Sequence, residues 1–123
     1  VIETGGIKDY LLLGRFQSGK KDGQWVQWYR NGQKEVEGIY YRGKKHGEWT
    51  LWYEEGNLKE QGTFDMGKID GIYKYWYPNG HLKVEQSYHK GKEHGRWTWW
   101  YENDRTLTFT DGVWSYNGKE YQA

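Results

Sequence analysis

The stretch GRFQSGKK, Gly14 to Lys21, comes within one residue of a phosphate-binding P-loop. Such a loop needs Ser or Thr after its lysine to hold Mg²⁺, and a helix N-terminus behind it. Lys21 stands where that hydroxyl belongs and a strand-like segment follows, so nucleotide binding is not expected. A second set, Asp22, His46, Asp70 and His94, recurs in one column and looks like a ligand series. Its members should lie about 10 Å apart by strand spacing, whereas metal ligands converge to ~2 Å from one centre. Asp and His tolerate left-handed backbone before a turn glycine, and that is their expected role. His81 and His89 recur in no column, and no metal or cofactor is expected. The carboxylates of Glu35, Glu37 and Glu85 read as solvated strand partners. Without cysteine, and without a Ser-His-Asp grouping in register, the chain is not expected to be an enzyme. What remains is aromatic chemistry: Trp28, Trp52, Trp76 and Trp100 recur every 24 residues.

The elements that position those rings are themselves a repeat. GKKDGQWVQWYRNG at Gly19, GKKHGEWTLWYEEG at Gly43, GKIDGIYKYWYPNG at Gly67 and GKEHGRWTWWYEND at Gly91 start 24 residues apart. Gly23, Gly47, Gly71 and Gly95 form one invariant column, and Tyr29, Tyr53, Tyr77 and Tyr101 follow the tryptophans directly. A looser column holds Trp25, Trp49, Tyr73 and Trp97. A period of this length signals stacked units that lean on their neighbours.

With 123 residues the chain is one domain, and its 9 Trp, 12 Tyr and 3 Phe must supply the buried area that few aliphatics provide. A net charge of +1 argues against nucleic acid as a partner. The LLL run at Leu11 to Leu13 is far too short to span a membrane. No signal peptide is visible, yet the chain starts at Val1, so a mature exported product and a trimmed chain both remain open. Compartment stays open with it, and the chain is exported if Val1 follows a removed signal peptide.

Each unit reads as a hairpin. QWVQWYR ends at Asn31-Gly32, which predicts a two-residue turn with both residues at φ > 0, and Pro78-Asn79-Gly80 does the same job. KEVEGIYYR then runs into GKKHG, a loop back to the next unit. Recurrent glycine and the lack of a 3.6-residue period exclude helix. The fold class is therefore all-β, a meander of about nine or ten strands in one elongated antiparallel sheet of stacked hairpins. Residues 7–18 form a leading half repeat, 19–42, 43–66, 67–90 and 91–114 the repeats, and 115–123 a capping tail.

The predicted turn fixes a register. Arg30 faces Gln33, Trp25 lies opposite Gly38 and folds over it, and Trp49 lies opposite Gly62. Across the next loop, pairing Arg42 with Gly47 sets Tyr40 opposite Trp49 and Val36 opposite Tyr53. Both registers give one face to Trp25, Tyr29, Val36, Tyr40, Trp49, Leu51, Tyr53, Leu58, Phe64, Tyr73 and Tyr75. Tyr77, Leu82, Val84, Tyr88, Trp97, Trp99 and Tyr101 join it, and this is the core face. The other face carries Arg30, Glu35, Glu37, Lys59, Gln61, Lys74, Lys83 and Glu85. A lane of Trp28, Trp52, Trp76 and Trp100 runs through them, roughly 30 Å long at two strand spacings per step. Twisting that rolls the sheet into a trough, the terminal strands or a second subunit would cover the core face.

The columns Gly-Lys-x-x-Gly-x-Trp-x-x-Trp-Tyr-x-x-Gly resemble MORN-type repeats, and are closer to the bacterial MORN-variant form found in proteins labelled as YwqK-like antitoxins. The resemblance covers residues 14 to about 114, and Asp104 replaces the hairpin glycine in the last unit. It implies an elongated antiparallel sheet serving as an interaction module, an antitoxin or immunity role in bacterial proteins, and membrane attachment in eukaryotic ones.

Two classes of function follow. One is a non-enzymatic module that binds a protein partner, such as a toxin, through Trp28, Trp52, Trp76, Trp100, Glu35, Glu37, Lys59, Lys83 and Glu85. The other is an exported or surface-associated module whose rings contact glycans or membrane headgroups. The tryptophan lane itself has two readings, packing beneath Lys and Glu stems or an interaction surface. A homodimer fits either class.

Overall fold

The computed structural model describes residues 2–4, 10–101, 106–116 and 119–121, with side chains from 14 to 101 and from 106 to 116. Residues 7–9 of the leading half repeat, Asp104, and residues 117, 118, 122 and 123 of the tail lie outside the described residues. Described residues form strands and turns only, in a sheet that does not close.

The strands are β1 (Ile2–Thr4), β2 (Tyr10–Leu13), β3 (Phe16–Gln17), β4 (Lys20–Lys21), β5 (Gly23–Tyr29), β6 (Lys34–Tyr41), β7 (Lys44–Trp52) and β8 (Leu58–Asp65). They continue with β9 (Lys68–Ile69), β10 (Gly71–Trp76), β11 (Leu82–His89), β12 (Lys92–Trp100), β13 (Thr106–Thr110), β14 (Val113–Tyr116) and β15 (Lys119–Tyr121). Neighbours pair antiparallel in the order β1-β2-β5-β6-β7-β8-β10-β11-β12-β13-β14-β15, with β9 paired to β8 and β3 to β4 as short hairpin tips. The meander is longer than nine or ten strands because β1 and β2 extend one end and β14 and β15 the other.

The two turns of each unit exchange the roles expected of them. At Asn31-Gly32 only the glycine has positive φ, at 89°. Gly32 N–H donates to the Tyr29 carbonyl (3.0 Å) and Tyr29 N–H to that of Gln33 (2.8 Å), so three residues make the loop and Tyr29, not Arg30, faces Gln33. Asn31 instead accepts from Gln33 N–H at 2.9 Å through its side chain. Tyr53 to Asn57 and Tyr77 to His81 repeat the geometry, with Pro78 inside the turn where a fixed φ is favourable. The true two-residue turns are Ser18-Gly19, Arg42-Gly43, Met66-Gly67, Lys90-Gly91 and Asp111-Gly112, both residues of each at positive φ.

Register follows from the turns. Trp25 pairs Gly38 and Gln27 pairs Val36 as expected, but Trp28 pairs Lys34, leaving Glu35 as an extra, bulged residue. Lys59 and Lys83 occupy the same place in the next two units. Between β6 and β7, Tyr40 pairs Lys45 rather than Trp49, and Val36 pairs Leu51 rather than Tyr53. Those offsets, four and two residues, are even, so these side chains keep the faces expected.

Glycine and aromatic columns build the core together. A Cβ on Gly14 would meet the Trp25 ring at 2.2 Å, one on Gly38 the Trp49 ring at 2.1 Å, and one on Gly62 the Tyr73 ring at 2.2 Å. Trp25 therefore folds over Gly14, not over its paired Gly38, which lies beneath Trp49. Each ring covers a backbone left bare, and Trp25, Trp49 and Tyr73 are buried without a second layer. The fourth unit has Gln86 in the glycine column, opposite Trp97, and Trp97 is only half-buried. Rings also meet edge to face, Trp25 with Tyr40 at 5.5 Å and Tyr40 with Trp49 at 4.8 Å. Lys21 lies 4.4 Å from the Trp25 centroid and Lys45 4.9 Å from that of Trp49, so lysine stems lid this face.

Candidate functional site

The four lane tryptophans follow from strand alternation. On β5, β7, β10 and β12 they point away from Trp25, Trp49, Tyr73 and Trp97, three residues earlier on each strand. All four are half-buried. Their cross-strand partners are Lys34, Leu58, Leu82 and Thr106. The bulge thus moves Leu58 and Leu82 off the core face expected for them and onto the tryptophan face. Trp52, Leu58, Trp76, Leu82 and Trp100 make one apolar strip with one side chain on each of β7, β8, β10, β11 and β12. The rings form no ring pairs with one another among the described residues.

The same bulge divides the site residues. Lys59 Nζ lies 5.7 Å from the Tyr53 ring centroid and Lys83 Nζ 5.6 Å from that of Tyr77. Glu35, with burial the larger cause, helps raise the Tyr29 phenol above its ordinary range. Glu35, Lys59 and Lys83 therefore serve the tyrosine column on the core side, not the lane. Glu37 and Glu85 stay with the tryptophans, in a row that crosses the sheet as Val26, Glu37, Thr50, Gln61, Lys74, Glu85, Thr98 and Thr108. Glu37 accepts from Lys34 Nζ at 3.0 Å, and Gln61 donates to the buried Thr50 hydroxyl at 3.2 Å.

Two ladders hold the units at fixed spacing. Tyr29 donates its hydroxyl to the Trp52 carbonyl at 2.7 Å, Tyr53 to that of Trp76 at 2.7 Å, and Tyr77 to that of Trp100 at 2.9 Å. Each lane tryptophan after the first is thus pinned through its backbone by the preceding unit. Asn31 and Asn57 reach across in the same way to the carbonyls of Glu54 and Pro78, both at 2.8 Å.

At the opposite edge the Asp and His column finds its use. Asp22 accepts from Arg42 N–H (3.4 Å), His46 from Met66 N–H (3.3 Å) and Asp70 from Lys90 N–H (3.1 Å), capping the tight turn of the next unit. These three residues do not take left-handed backbone; the glycines after them, Gly23, Gly47 and Gly71, do. Among the described residues no three His, Asp or Glu side chains converge as a metal site would require. Gly14 to Lys21 folds as the β3–β4 tip, with Ser18 and Gly19 in its turn.

Sequence reasoning missed an aromatic cluster at the far end. Trp99 and Trp114 stack at 5.7 Å and 26°, Phe109 lies 4.8 Å from Trp114, and Tyr101 and Tyr116 meet at 6.2 Å. A concavity of about 250 Å³ lies beside them, with Tyr77 and Lys83 on its wall. Alternation carried past Trp100 would have found it, because β13 pairs there without a bulge: Trp99 faces Leu107 and Trp100 faces Thr106.

A hairpin solenoid with pinned repeats, large rings and bound turns is a repeat module of the kind that serves in binding. The chain belongs to the MORN repeat variant family, whose model matches residues 21–42, 45–66 and 69–90, more than half of its length. The fourth unit, 91–114, continues the pairing outside the matched residues. A comparison with curated proteins finds no match.

Proposed function

We propose that this protein is a non-catalytic module that binds a protein partner across the tryptophan face, in the manner of an antitoxin or immunity protein that caps a toxin. The observation that carries the reading is the strip Trp52, Leu58, Trp76, Leu82 and Trp100, half-buried large side chains held at constant spacing by the tyrosine ladder. Hot spots of protein interfaces are aromatic, central and rigidly held. Glu37 and Glu85, on the adjoining row, supply the polar rim. Glu35, Lys59 and Lys83 act through the tyrosines instead of touching the partner. The test is calorimetry with the partner recovered from the source cell. Trp52→Ala and Trp76→Ala should each weaken binding by roughly 2 kcal/mol or more, and unchanged affinity in both refutes the reading.

A second reading, contact with glycans or membrane headgroups at a surface, is supported by the Trp99–Trp114 stack. Trp114 is 39% exposed and Tyr101 45%, an open aromatic platform on which a sugar ring can stack. Quenching of indole fluorescence by oligosaccharides, lost in Trp114→Ala, would support it; saccharides without effect would exclude it.

A further inference from the structure

Resting on the headgroup form of the second reading above, we propose that the aromatic concavity at the far end binds a phosphocholine group, its trimethylammonium against Tyr101 and Trp114 and its phosphate on Lys83. The first ground is a break in the repeat. Over two tyrosines of the column the chain places its own cation, Lys59 at 5.7 Å from the Tyr53 centroid and Lys83 at 5.6 Å from that of Tyr77. One period after Lys83 stands Leu107, and no bulge intervenes where β13 pairs β12. Tyr101 therefore carries no cation among the described residues and is exposed, whereas Tyr53 and Tyr77 are half-buried. The column repeats the ring without repeating the charge that covers it.

The second ground is what lines the concavity. Its volume of about 250 Å³ is below the ~300–1,000 Å³ of drug-sized pockets, so it suits a small group. Tyr77, Trp99, Tyr101 and Trp114 supply rings, and Leu107 adds an apolar side chain. Trp114 is held by its stack on Trp99 and by Phe109 at 4.8 Å. The Tyr77 hydroxyl is spent on the Trp100 carbonyl, and among the described residues no carboxylate or amide side chain lines the site. A primary ammonium would give up hydration there and find few acceptors for its N–H groups. A sugar can stack on the rings but meets few partners for its hydroxyls. A quaternary ammonium has no N–H to satisfy and is held by ring faces alone. Lys83 decides the rest. Its ammonium belongs to no ion pair among the described residues and would repel a bare cation. A ligand that carries a phosphate close to its trimethylammonium pairs the one with Lys83 and seats the other on the rings.

The test follows the indole resonances of the full chain by NMR during addition of phosphocholine, phosphoethanolamine and choline. Phosphocholine should move the signals of Trp99 and Trp114 and bind roughly tenfold tighter than phosphoethanolamine, which has the same charges but keeps its N–H groups. Choline, without the phosphate, should bind roughly threefold more weakly, and Lys83→Met should remove that difference. Leu107→Lys, which restores the cation of the earlier units, and Trp114→Ala should each weaken phosphocholine binding roughly tenfold. Sedimentation with phosphatidylcholine vesicles separates the sources. Pelleting that soluble phosphocholine competes away assigns a lipid headgroup, and binding of the soluble group without pelleting assigns a free ester. Indoles that ignore phosphocholine at tens of millimolar, or an equal response to phosphoethanolamine, overturn the proposal. If oligosaccharides quench these indoles while phosphocholine does nothing, the phosphocholine assignment falls and the surface reading beneath it stands.

Discussion

Replacing Gly38 with alanine tests the core directly, because the added methyl has nowhere to go. Its Cβ would stand 2.1 Å from Cδ2 and 2.2 Å from Cε2 of Trp49, well inside the 3.4–4 Å of ordinary contact. The indole must retreat by more than about 1 Å from a site where it is 1% exposed. Its Nε1–H bond to the Ile39 carbonyl, 3.0 Å, would go with it. Overpacking costs about 1–3 kcal/mol, and the lost hydrogen bond about 1 more. Alanine's smaller chain entropy returns about 0.5–1 kcal/mol, leaving a net loss of about 1–3 kcal/mol. Urea unfolding measures it, with the slope checked for constancy. A double-mutant cycle then names the ring: in a Trp49→Ala background, held folded with an osmolyte where needed, the cost of Gly38→Ala should vanish. In a Trp25→Ala background it should persist in full. Coupling to Trp25 instead, or a Gly38→Ala chain as stable as the parent, would refute the ring-over-glycine packing.

Three further outcomes follow from the same geometry. Tyr29→Phe, Tyr53→Phe and Tyr77→Phe should each cost about 1 kcal/mol by urea unfolding, and add nearly in full because the sites are far apart. Burial first, then the Glu60 carboxylate that its hydroxyl meets at 2.9 Å, raises the Tyr73 phenol far above the ordinary tyrosine range. The unfolded phenol ionises near its ordinary value while the folded one keeps its proton, so this contribution is complete below pH ~10 and lost as pH climbs beyond it; Tyr73→Phe should flatten that alkaline fall in stability. Asp70→Ala should cost about 1 kcal/mol through the uncapped Lys90 amide, and speed hydrogen exchange at the Lys90-Gly91 turn.

Much of the fold was legible because the repeat over-determines it. The 24-residue period fixes a meander, and strand alternation separates Trp25 from Trp28 whatever the turn. The Trp25–Gly38 pairing came out correctly from an incorrect turn. Moving to a three-residue loop and adding a bulge at Glu35 cancel within the strand, leaving only Trp28 with Lys34 to show the difference. Bulges were the illegible element, since an extra residue costs no change in composition. They decide the site nonetheless, sending Leu58 and Leu82 to the lane and turning Lys59 and Lys83 toward the tyrosines. The reach of Trp49 over Gly38 was equally hidden, because register states which backbones pair and not across which strand a large ring lies. The Asp and His column was read as backbone preference when its use is a side-chain cap one unit away, a contact only the stacked structure brings within range.

The central claim is that two tryptophan columns, three residues apart on the same strands, do different work. Urea unfolding of Trp52→Ala beside Trp49→Ala tests it most directly. Trp49→Ala should lose about 3 kcal/mol or more, as a fully buried ring does. Trp52→Ala, half-buried beside Leu58, should lose no more than roughly half as much and keep the spectrum of the parent while partner binding falls. Equal destabilisation by the two substitutions would show that the lane is core, and that the binding surface lies elsewhere.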